Sequence, residues 1–210
     1  MTELYLVRHG ETDWNRQHRI QGLTDIPLNE TGRDQARAAG RLLARRPWDG
    51  IVTSPLSRAV ETASIIAAEA GLSEPEQVQA LVERNYGEGE GLDFAEINRR
   101  YPDRSVVPGQ ETRDEVIARV VPALRELAAS RPGQSIIVVS HGGAIRSALM
   151  AADPAGDHGM ISNGSVHSFR VVDDELRLSR FDDPMEIDSI TAGTDDLRDQ
   201  NAVEAREDVA

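Results

Sequence analysis

Two histidines share one local pattern that could do chemistry on a phosphate group. His9 follows Leu6-Val7-Arg8 and precedes a glycine, and His141 follows an apolar run and also precedes a glycine. Such apolar runs predict buried strands, and ligands bind at the carboxyl ends of strands in open α/β sheets. An arginine offers phosphate oxygens a planar fork of donors, and a neutral imidazole offers a nucleophilic nitrogen. Arg8 and His9 therefore predict a phosphate site, although chemistry alone would also allow His141 to be the nucleophile.

A histidine at a strand end also has a simpler interpretation, as a capping or hydrogen-bonded residue. The phosphate interpretation requires that the two strands be neighbours, so that both imidazoles converge on one phosphate. In that case His141 would donate a hydrogen bond to a phosphoryl oxygen. The backbone N–H groups of the helix that it opens would assist.

Composition limits the classes of protein to which the chain can belong. It has 210 residues, a size that fits one domain with a single core, and a formal net charge of −13. The negative charge argues against nucleic acid or an anionic membrane as a partner, so the arginines must gather locally in a cleft. Cysteine is absent, which excludes disulfides and thiolate chemistry. Neither a signal peptide nor an apolar run of about 20 residues is evident, and we expect a cytoplasmic protein.

The hydrophobic pattern predicts strands that alternate with helices. Strands are expected at 3–8, 50–53, 78–82 and 135–139, with an antiparallel hairpin at 166–172 and 176–181. Helices are expected at about 30–46, from Ser54-Pro55 to Gly71, at 94–101, at 112–130 and at 143–151. Residues 11–28 are expected to form an irregular loop. This order predicts an α/β fold, a three-layer α/β/α sandwich whose mostly parallel sheet has an antiparallel edge.

The last part of the chain differs in composition from the rest. Residues 182–210 contain ten acidic residues and two arginines, a net charge of −8. Such a segment cannot bury enough apolar surface to order itself. We therefore expect one domain over 1–181 and a flexible acidic tail over 182–210.

The run Leu6-Val7-Arg8-His9-Gly10-Glu11-Thr12 resembles the signature of the histidine phosphatase superfamily, which includes cofactor-dependent phosphoglycerate mutases and many small phosphatases. Further blocks occur in the family's order between residue 3 and about residue 150. They are Asp13-Trp14-Asn15, Gln21-Gly22, Asp25-Ile26-Pro27-Leu28-Asn29, Gly32, Thr53-Ser54-Pro55-Leu56-Ser57-Arg58-Ala59, Glu83-Arg84-Asn85-Tyr86-Gly87 and Ser140-His141-Gly142-Gly143. The resemblance implies the phosphoglycerate mutase-like fold.

The resemblance also implies a role for each matching residue. His9 would be the nucleophile that becomes phosphohistidine, and Arg8, Arg58 and His141 would surround the phosphoryl group. Glu83 would be the general acid, with Glu88 and Glu90 in the same glycine-rich loop as its rivals. Secondary contacts to phosphate or substrate are expected from Gly10, Thr12, Asn15, Gln21, Gly22 and Gly142.

Two enzyme activities and one binding role fit this pattern. Glu83-Arg84-Asn85-Tyr86-Gly87 resembles the Glu-Arg-His-Tyr-Gly of phosphoglycerate mutases. However, only a short segment separates Gly91 from the helix expected near residue 112, where mutases carry a longer insertion. Gly109-Gln110-Glu111-Thr112 also resembles the Gly-Gly-Glu-Ser of small phosphatases. We therefore expect a phosphomonoester hydrolase that acts through phosphohistidine on a small phosphorylated metabolite. The alternatives are a 2,3-bisphosphoglycerate-dependent phosphoglycerate mutase and a non-catalytic phospho-ligand binder.

Neither a cofactor nor a metal is expected to take part. His18, His158 and His167 lie apart in the sequence without the spacing of metal ligands. The expected partner is the small phosphorylated metabolite itself, without nucleic acid or membrane. A homodimer is a further option.

Overall fold

A computed structural model describes residues 1–102, 106–156 and 158–181. Within these residues one six-stranded sheet has the order β3-β2-β4-β1-β5-β6. The neighbouring pairs among the first four strands of that order are parallel, whereas β5 is antiparallel to both β1 and β6. The strands are β1 (Glu3–Arg8), β2 (Gly50–Thr53), β3 (Glu76–Gln77), β4 (Ser135–Ser140), β5 (Val166–Val172) and β6 (Glu175–Arg180).

Helices cover both faces of this sheet. They are α1 (Asp13–Arg16), α2 (Glu30–Leu43), α3 (Ser57–Ala70), α4 (Phe94–Arg100), α5 (Arg113–Ser130) and α6 (Gly142–Ala152), with short 3-10 helices at Gln79–Leu81 and Gly87–Gly89. Along β1, Leu4 and Leu6 pack with α5 and α6, whereas Tyr5 and Val7 pack with α2 and α3. This alternation buries both faces of the strand. The predicted three-layer α/β/α sandwich with an antiparallel edge is confirmed.

The carboxyl ends of β1 and β4 meet at one edge of the sheet because the two strands are parallel neighbours. Their register pairs Arg8 with Ser140, so the residues that follow them, His9 and His141, emerge side by side. The helix α6 begins immediately after His141, at Gly142.

A close backbone approach fixes the chain just after β1. A Cβ added to Gly10 would lie 2.3 Å from the Gly32 carbonyl oxygen, and one added to Gly32 would lie 2.1 Å from the Glu11 carbonyl oxygen. Gly32 belongs to the first turn of α2, where the Asn29 side chain caps the helix by accepting from the Gly32 N–H. Glycine at both positions therefore lets the first turn of α2 rest directly on the backbone beside His9.

The prediction of a strand at 78–82 is wrong. The strand is only Glu76–Gln77, and a 3-10 helix follows at Gln79–Leu81. The carbonyl oxygens of Ala80 and Val82 accept hydrogen bonds from the Arg119 guanidinium at 2.7 and 2.8 Å. A side chain from α5 therefore satisfies backbone groups that a strand would have paired with its neighbour.

Smaller corrections concern helix ends. Pro55 lies outside α3, which begins at Ser57 after Leu56 as its N-cap. The region 11–28 is not wholly irregular, because Thr12 and Asn15 form a capping box that starts the short helix α1. The helix predicted for 30–46 ends at Leu43.

Two expectations concern the ends of the domain and the membrane. The predicted tail at 182–210 lies outside the described residues, so the division of the chain at residue 181 stays a prediction. In the part of the chain that the structure describes, no helix is long and apolar enough to cross a membrane.

Candidate active site

The two predicted histidines lie together at the sheet edge. The ring centroids of His9 and His141 are 5.1 Å apart, and the two side chains are almost fully buried. The His9 N–H donates to the Ser140 carbonyl at 3.0 Å, which extends the pairing of β1 with β4 by one more residue. The pairing of β1 with β4 thus meets the condition that the sequence analysis set for the two histidines to converge, namely that their strands be neighbours.

The backbone fixes which nitrogen of His9 carries a proton. The Nδ1 atom lies 2.7 Å from the Gly10 carbonyl oxygen. A carbonyl oxygen can only accept a hydrogen bond, so Nδ1 must be the donor. In the neutral ring Nε2 then carries the lone pair. This is the nitrogen that can act as a nucleophile.

His9 is held in its neutral form. Burial lowers its pKa well below the ordinary value, and the positive charges of Arg58 and Arg8 lower it further. The hydrogen bond to the Gly10 carbonyl acts in the opposite direction but does not outweigh them. At neutral pH the imidazole is therefore uncharged, with its proton on Nδ1 and its lone pair on Nε2 free to act as a nucleophile.

Both arginines of the candidate site are buried and held by backbone carbonyls. Arg58, the second residue of α3, donates to the carbonyl oxygens of Gly22 at 2.8 Å and Thr24 at 3.0 Å. Arg8 donates to the Ile161 carbonyl at 2.6 Å. Burial lowers the pKa of Arg58 to about 10, so its guanidinium keeps a full positive charge at neutral pH. The carbonyls that bind Arg58 are neutral and leave its charge in place, whereas Asp25 forms a longer ion pair with it, at 3.9 Å.

His141 has a partner that the sequence analysis did not single out. Its Nε2 lies 2.7 Å from the Ser54 hydroxyl oxygen, and burial together with the charge of Arg58 lowers its pKa well below the ordinary value. When Ser54 donates to Nε2, the neutral ring carries its proton on Nδ1. Within the described residues, His141 Nδ1 and Arg58 Nε are buried without a hydrogen-bond partner. Both can donate to the oxygens of a bound phosphate.

Glu83 is buried behind the start of α6. Its carboxylate accepts hydrogen bonds from the N–H groups of Arg84 at 2.7 Å and of Gly143 and Ala144 at 3.2 Å each. These two N–H groups of α6 therefore hold Glu83, whereas the sequence analysis expected the start of this helix to face phosphate. The charge of Glu83 also raises the pKa of Arg58, which links the carboxylate to the buried cation.

The two rival carboxylates have other partners. Glu88 is exposed and accepts from the Tyr101 hydroxyl at 2.8 Å. Glu90 accepts from the N–H groups of Leu23 at 2.8 Å and Thr24 at 2.9 Å. Glu90 thus fixes the same loop whose carbonyls bind Arg58. Of the three carboxylates, Glu83 raises the pKa of Arg58 most.

An arginine of α5 anchors the backbone that carries Glu83. Arg119 donates to the carbonyls of Ala80, Val82 and Glu83, the last at 3.0 Å. It also pairs with both carboxylate oxygens of Glu111, at 2.7 and 3.0 Å. The pattern of α5 showed its buried face but gave no signal for this contact, because its partners lie 8 to 39 residues away.

The secondary residues divide into two groups. Thr12 and Asn15 bond to each other in the capping box of α1, and Asn163, which the sequence did not indicate, donates to the His9 carbonyl at 2.8 Å. The Gly10 N–H donates to the Thr62 hydroxyl at 3.1 Å, so it serves packing instead of offering itself to phosphate.

The second group consists of Gln21 and Gly22, in the loop between α1 and α2, and of Gly142. Gly22 has a left-handed φ of 58°, and a Cβ there would lie 2.0 Å from Glu90. Its carbonyl accepts from Arg58, which explains why the chain turns sharply at this glycine. The Gln21 side-chain oxygen is buried without a hydrogen-bond partner in the described part of the chain. Gly142 opens α6 beside His141.

Potential metal ligands do not cluster in the part of the chain that the structure describes. His158 and His167 do approach each other, since both rings contact the Phe181 ring, with centroids at 5.6 and 4.7 Å. The candidate site is therefore built from arginines, histidines and one carboxylate.

Comparison with known proteins identifies the family of this site. The model of histidine phosphatase superfamily branch 1 matches residues 4–184. The uncharacterized phosphatase PhoE of Bacillus subtilis is 39% identical over 184 residues, covering 86% of this chain and 94% of that protein. A 2,3-bisphosphoglycerate-dependent phosphoglycerate mutase of Cytophaga hutchinsonii is 33% identical over 163 residues, covering 71% and 76%.

A solved structure shares both the fold and part of the sequence. The mycobacterial glucosyl-3-phosphoglycerate phosphatase, in a complex with VO3, superposes with a TM-score of 0.77 at 31% identity. The match covers 86% of this chain and 98% of that one. The similar proteins thus include both phosphatases and mutases.

The lowered pKa values lead to a prediction about pH. Because the folded pKa values of His9 and His141 lie well below 6.5, both rings should stay neutral as the pH falls from 8 to 5. Ring ¹⁵N NMR should show His9 protonated on Nδ1 throughout, with His9→Gln used to assign the signal. In denaturant both rings should titrate near pH 6.5. A His9 ring that gains a second proton between pH 6 and 7 in the folded protein would contradict the geometry.

Proposed function

The chain belongs to the histidine phosphatase superfamily, and on that premise we propose that it hydrolyses small phosphomonoesters through a phosphohistidine on His9. The observation that carries the proposal is the neutral His9, whose Nδ1 is tied to the Gly10 carbonyl between two buried arginines. A nucleophile and positive charge for a phosphate are thus present at the same point.

The first step transfers the phosphoryl group to the enzyme. His9 Nε2 attacks phosphorus, a P–N bond forms and the bond from phosphorus to the leaving oxygen breaks. Glu83 enters this step protonated and delivers that proton to the departing alkoxide, so that a neutral alcohol leaves and Glu83 becomes a carboxylate. Splitting the hydrolysis in this way replaces one difficult displacement by two easier ones.

The second step returns the enzyme to its starting state. Water attacks the phosphohistidine, Glu83 takes a proton from that water, and inorganic phosphate leaves with the P–N bond broken. Throughout both steps Arg8, Arg58 and His141 donate to the equatorial oxygens, where negative charge is spread in the transition state. The arginines supply positive charge at this position, and we expect no requirement for a metal.

The mutase alternative depends on what holds the substrate during its reorientation. Mutases resembling this chain at Glu83-Arg84-Asn85-Tyr86-Gly87 carry a longer insertion after the equivalent of Gly91. Here that segment is short. The Glu111 side chain at its end forms an ion pair with Arg119, so this arginine is already paired. Water should therefore reach the phosphohistidine before a second hydroxyl does. The remaining alternative is a non-catalytic binder. Binding of phosphate would not require a neutral His9, whereas nucleophilic attack does.

Two attributes expected from the sequence stay predictions. They are the cytoplasmic location and the homodimer.

The nucleophile can be identified by trapping the intermediate. Acid-sensitive, alkali-stable phosphate should appear on His9 when turnover of a ³²P-labelled monoester is quenched within milliseconds. His9→Asn should remove the label and lower kcat by about 10⁴-fold or more. His141→Asn, its matched neighbour, should slow turnover but retain a label on His9. Label that moves to His141 or Ser57 would mean that the nucleophile is misassigned.

The role of Glu83 can be separated from a structural role by changing the leaving group. An alkoxide needs a proton in order to depart, whereas p-nitrophenolate does not. Glu83→Gln should therefore lower the single-turnover rate of alcohol release from an alkyl phosphate by about 10²–10⁴. Release of p-nitrophenol should fall much less. Glu88→Gln, in the same loop, is the control and should affect neither substrate; equal losses on both by Glu83→Gln would remove its role as an acid.

One assay with two readouts distinguishes hydrolysis from mutase activity. Inorganic phosphate should be released from several small monoesters faster than 2- and 3-phosphoglycerate interconvert on the same preparation, because water intercepts the intermediate. Rapid interconversion that depends on 2,3-bisphosphoglycerate, with little free phosphate, would make the chain a mutase.

A further inference from the structure

A cavity of about 460 Å³ opens beside Glu83. If Glu83 protonates the leaving oxygen, the alcohol part of the substrate occupies this space, so the lining groups select it. They are Leu23, Val82, Glu83, Asn85, Gly109, Gln110, Glu111, Glu115 and Arg119.

Arg119 is the only cation among the described residues that line this cavity, and its donors are all engaged. Nε and one terminal nitrogen bind the Glu111 carboxylate, and the terminal nitrogens also bind the carbonyls of Ala80, Val82 and Glu83. These are five hydrogen bonds, the full number that a guanidinium can donate. Arg119 therefore has no donor left for a carboxylate or second phosphate on a substrate.

A neighbouring arginine acts on the wall from outside the lining, because the charge of Arg84 helps to lower the pKa of Glu115. Arg84 does not line the cavity. Its Nε donates to the Glu111 carbonyl at 2.7 Å, and its guanidinium lies over the Tyr86 ring, 5.4 Å from the centroid. Arg84 thus supports the wall from behind.

The remaining charges in the lining are negative. Glu115 is exposed, and its carboxylate accepts from the Thr112 N–H and hydroxyl, which lower its pKa below the ordinary value. Burial would raise the pKa of Glu111, but the hydrogen bonds from Arg119 and the Asn85 N–H outweigh it and leave the pKa lowered. Both carboxylates are therefore ionised at neutral pH, and Arg119 balances only one of them.

The lining that is not charged is rich in hydrogen-bonding groups. Asn85 and Gln110 bring side-chain amides to the same wall as Glu115. The amides can donate to or accept from hydroxyl groups, and the carboxylates accept from hydroxyl groups but repel a second anion.

We infer that the leaving-group side of this site selects an uncharged, hydroxyl-rich alcohol, such as a polyol or sugar, and discriminates against a substrate with a second anionic group. The inference rests on the proposed phosphomonoesterase activity and adds the substrate class. Glu115 is the residue that we expect to set the discrimination, because it is an exposed carboxylate of the lining, whereas Glu111 is paired with Arg119 and Glu83 is buried.

A matched pair of substrates tests the inference. Glycerol phosphate and 3-phosphoglycerate differ only in that a CH₂OH group in the first is a carboxylate in the second. The wild-type chain should prefer glycerol phosphate by about tenfold or more in kcat/KM, as expected for one to two unfavourable charge contacts near a protein surface. The preference should appear mainly in KM and should shrink at 0.5 M salt, which screens exposed charges.

Two variants of α5 identify the residue responsible. Glu115→Gln should reduce the ratio of the two kcat/KM values by about threefold, by lowering KM for 3-phosphoglycerate. Glutamine can still complete the capping box with Thr112. Glu126→Gln removes an equal charge from an exposed position of the same helix outside the cavity and should leave the preference unchanged. An equal response of both variants would remove Glu115 from the inference.

The outcomes separate the substrate class from the activity itself. If p-nitrophenyl phosphate is hydrolysed while 3-phosphoglycerate matches or exceeds glycerol phosphate, the substrate class is wrong and the phosphatase activity stands. The same holds if the chain cleaves p-nitrophenyl phosphate but not glycerol phosphate. If none of the three esters releases phosphate, the proposed function itself fails.

Discussion

The rest of this structure depends on one constraint, the burial of the Arg8 and Arg58 guanidinium charges beside the neutral imidazole of His9. Removing a cation from water has an effective penalty on the order of several kcal/mol, unless hydrogen bonds replace the lost hydration. For Arg58 the replacement comes from the carbonyls of Gly22 and Thr24, and for Arg8 it includes the carbonyl of Ile161. The loops that supply these carbonyls must be held in place, so much of the surrounding structure serves to fix them. Glu90 binds the N–H groups of one loop, and the left-handed backbone at Gly22 turns it towards Arg58.

The same constraint explains why backbone contacts replace side chains around His9. The turn after β1 must be narrow, because His9 bonds to the Gly10 carbonyl while the first turn of α2 lies against it. Glycine at 10 and 32 removes the two Cβ atoms that would separate these segments. The Thr62 hydroxyl then accepts from the Gly10 N–H and donates to the Arg58 carbonyl at 2.7 Å. One threonine of α3 thus connects the nucleophile's turn to the helix that carries the buried cation.

Much of the fold, and the place of both histidines, could be predicted from the sequence, since each depends on a local pattern. Apolar runs that end in His-Gly marked the carboxyl ends of β1 and β4, and amphipathic spacing marked the longer helices. Contacts between distant residues could not be predicted in this way. Val78 to Val82 has the composition of a strand, but Arg119 from α5 binds its carbonyls. The Ser54 contact to His141, 87 residues away, had no local signal either.

The distribution of charge within the site also resolves an apparent conflict with the composition. A chain with a formal charge of −13 should repel a dianionic ester, but exposed charges are screened beyond about 8–10 Å in physiological salt. Inside that distance the substrate meets Arg8 and Arg58 on the phosphate side and the carboxylates of Glu111 and Glu115 on the other. Phosphate transfer between the hydroxyls of phosphoglycerate requires that the bisphosphate formed by transfer from His9 stay bound and turn before it returns a phosphoryl group to His9. On the proposed function, a wall whose arginine has all its donors engaged should hold an anionic substrate such as phosphoglycerate weakly, so we expect water to take its place. We therefore expect the polarity of the cavity and the choice of hydrolysis over transfer to depend on the same Arg119–Glu111 pair. Arg119 also donates to the Glu83 carbonyl, and it is the one cation among the described residues that line the cavity.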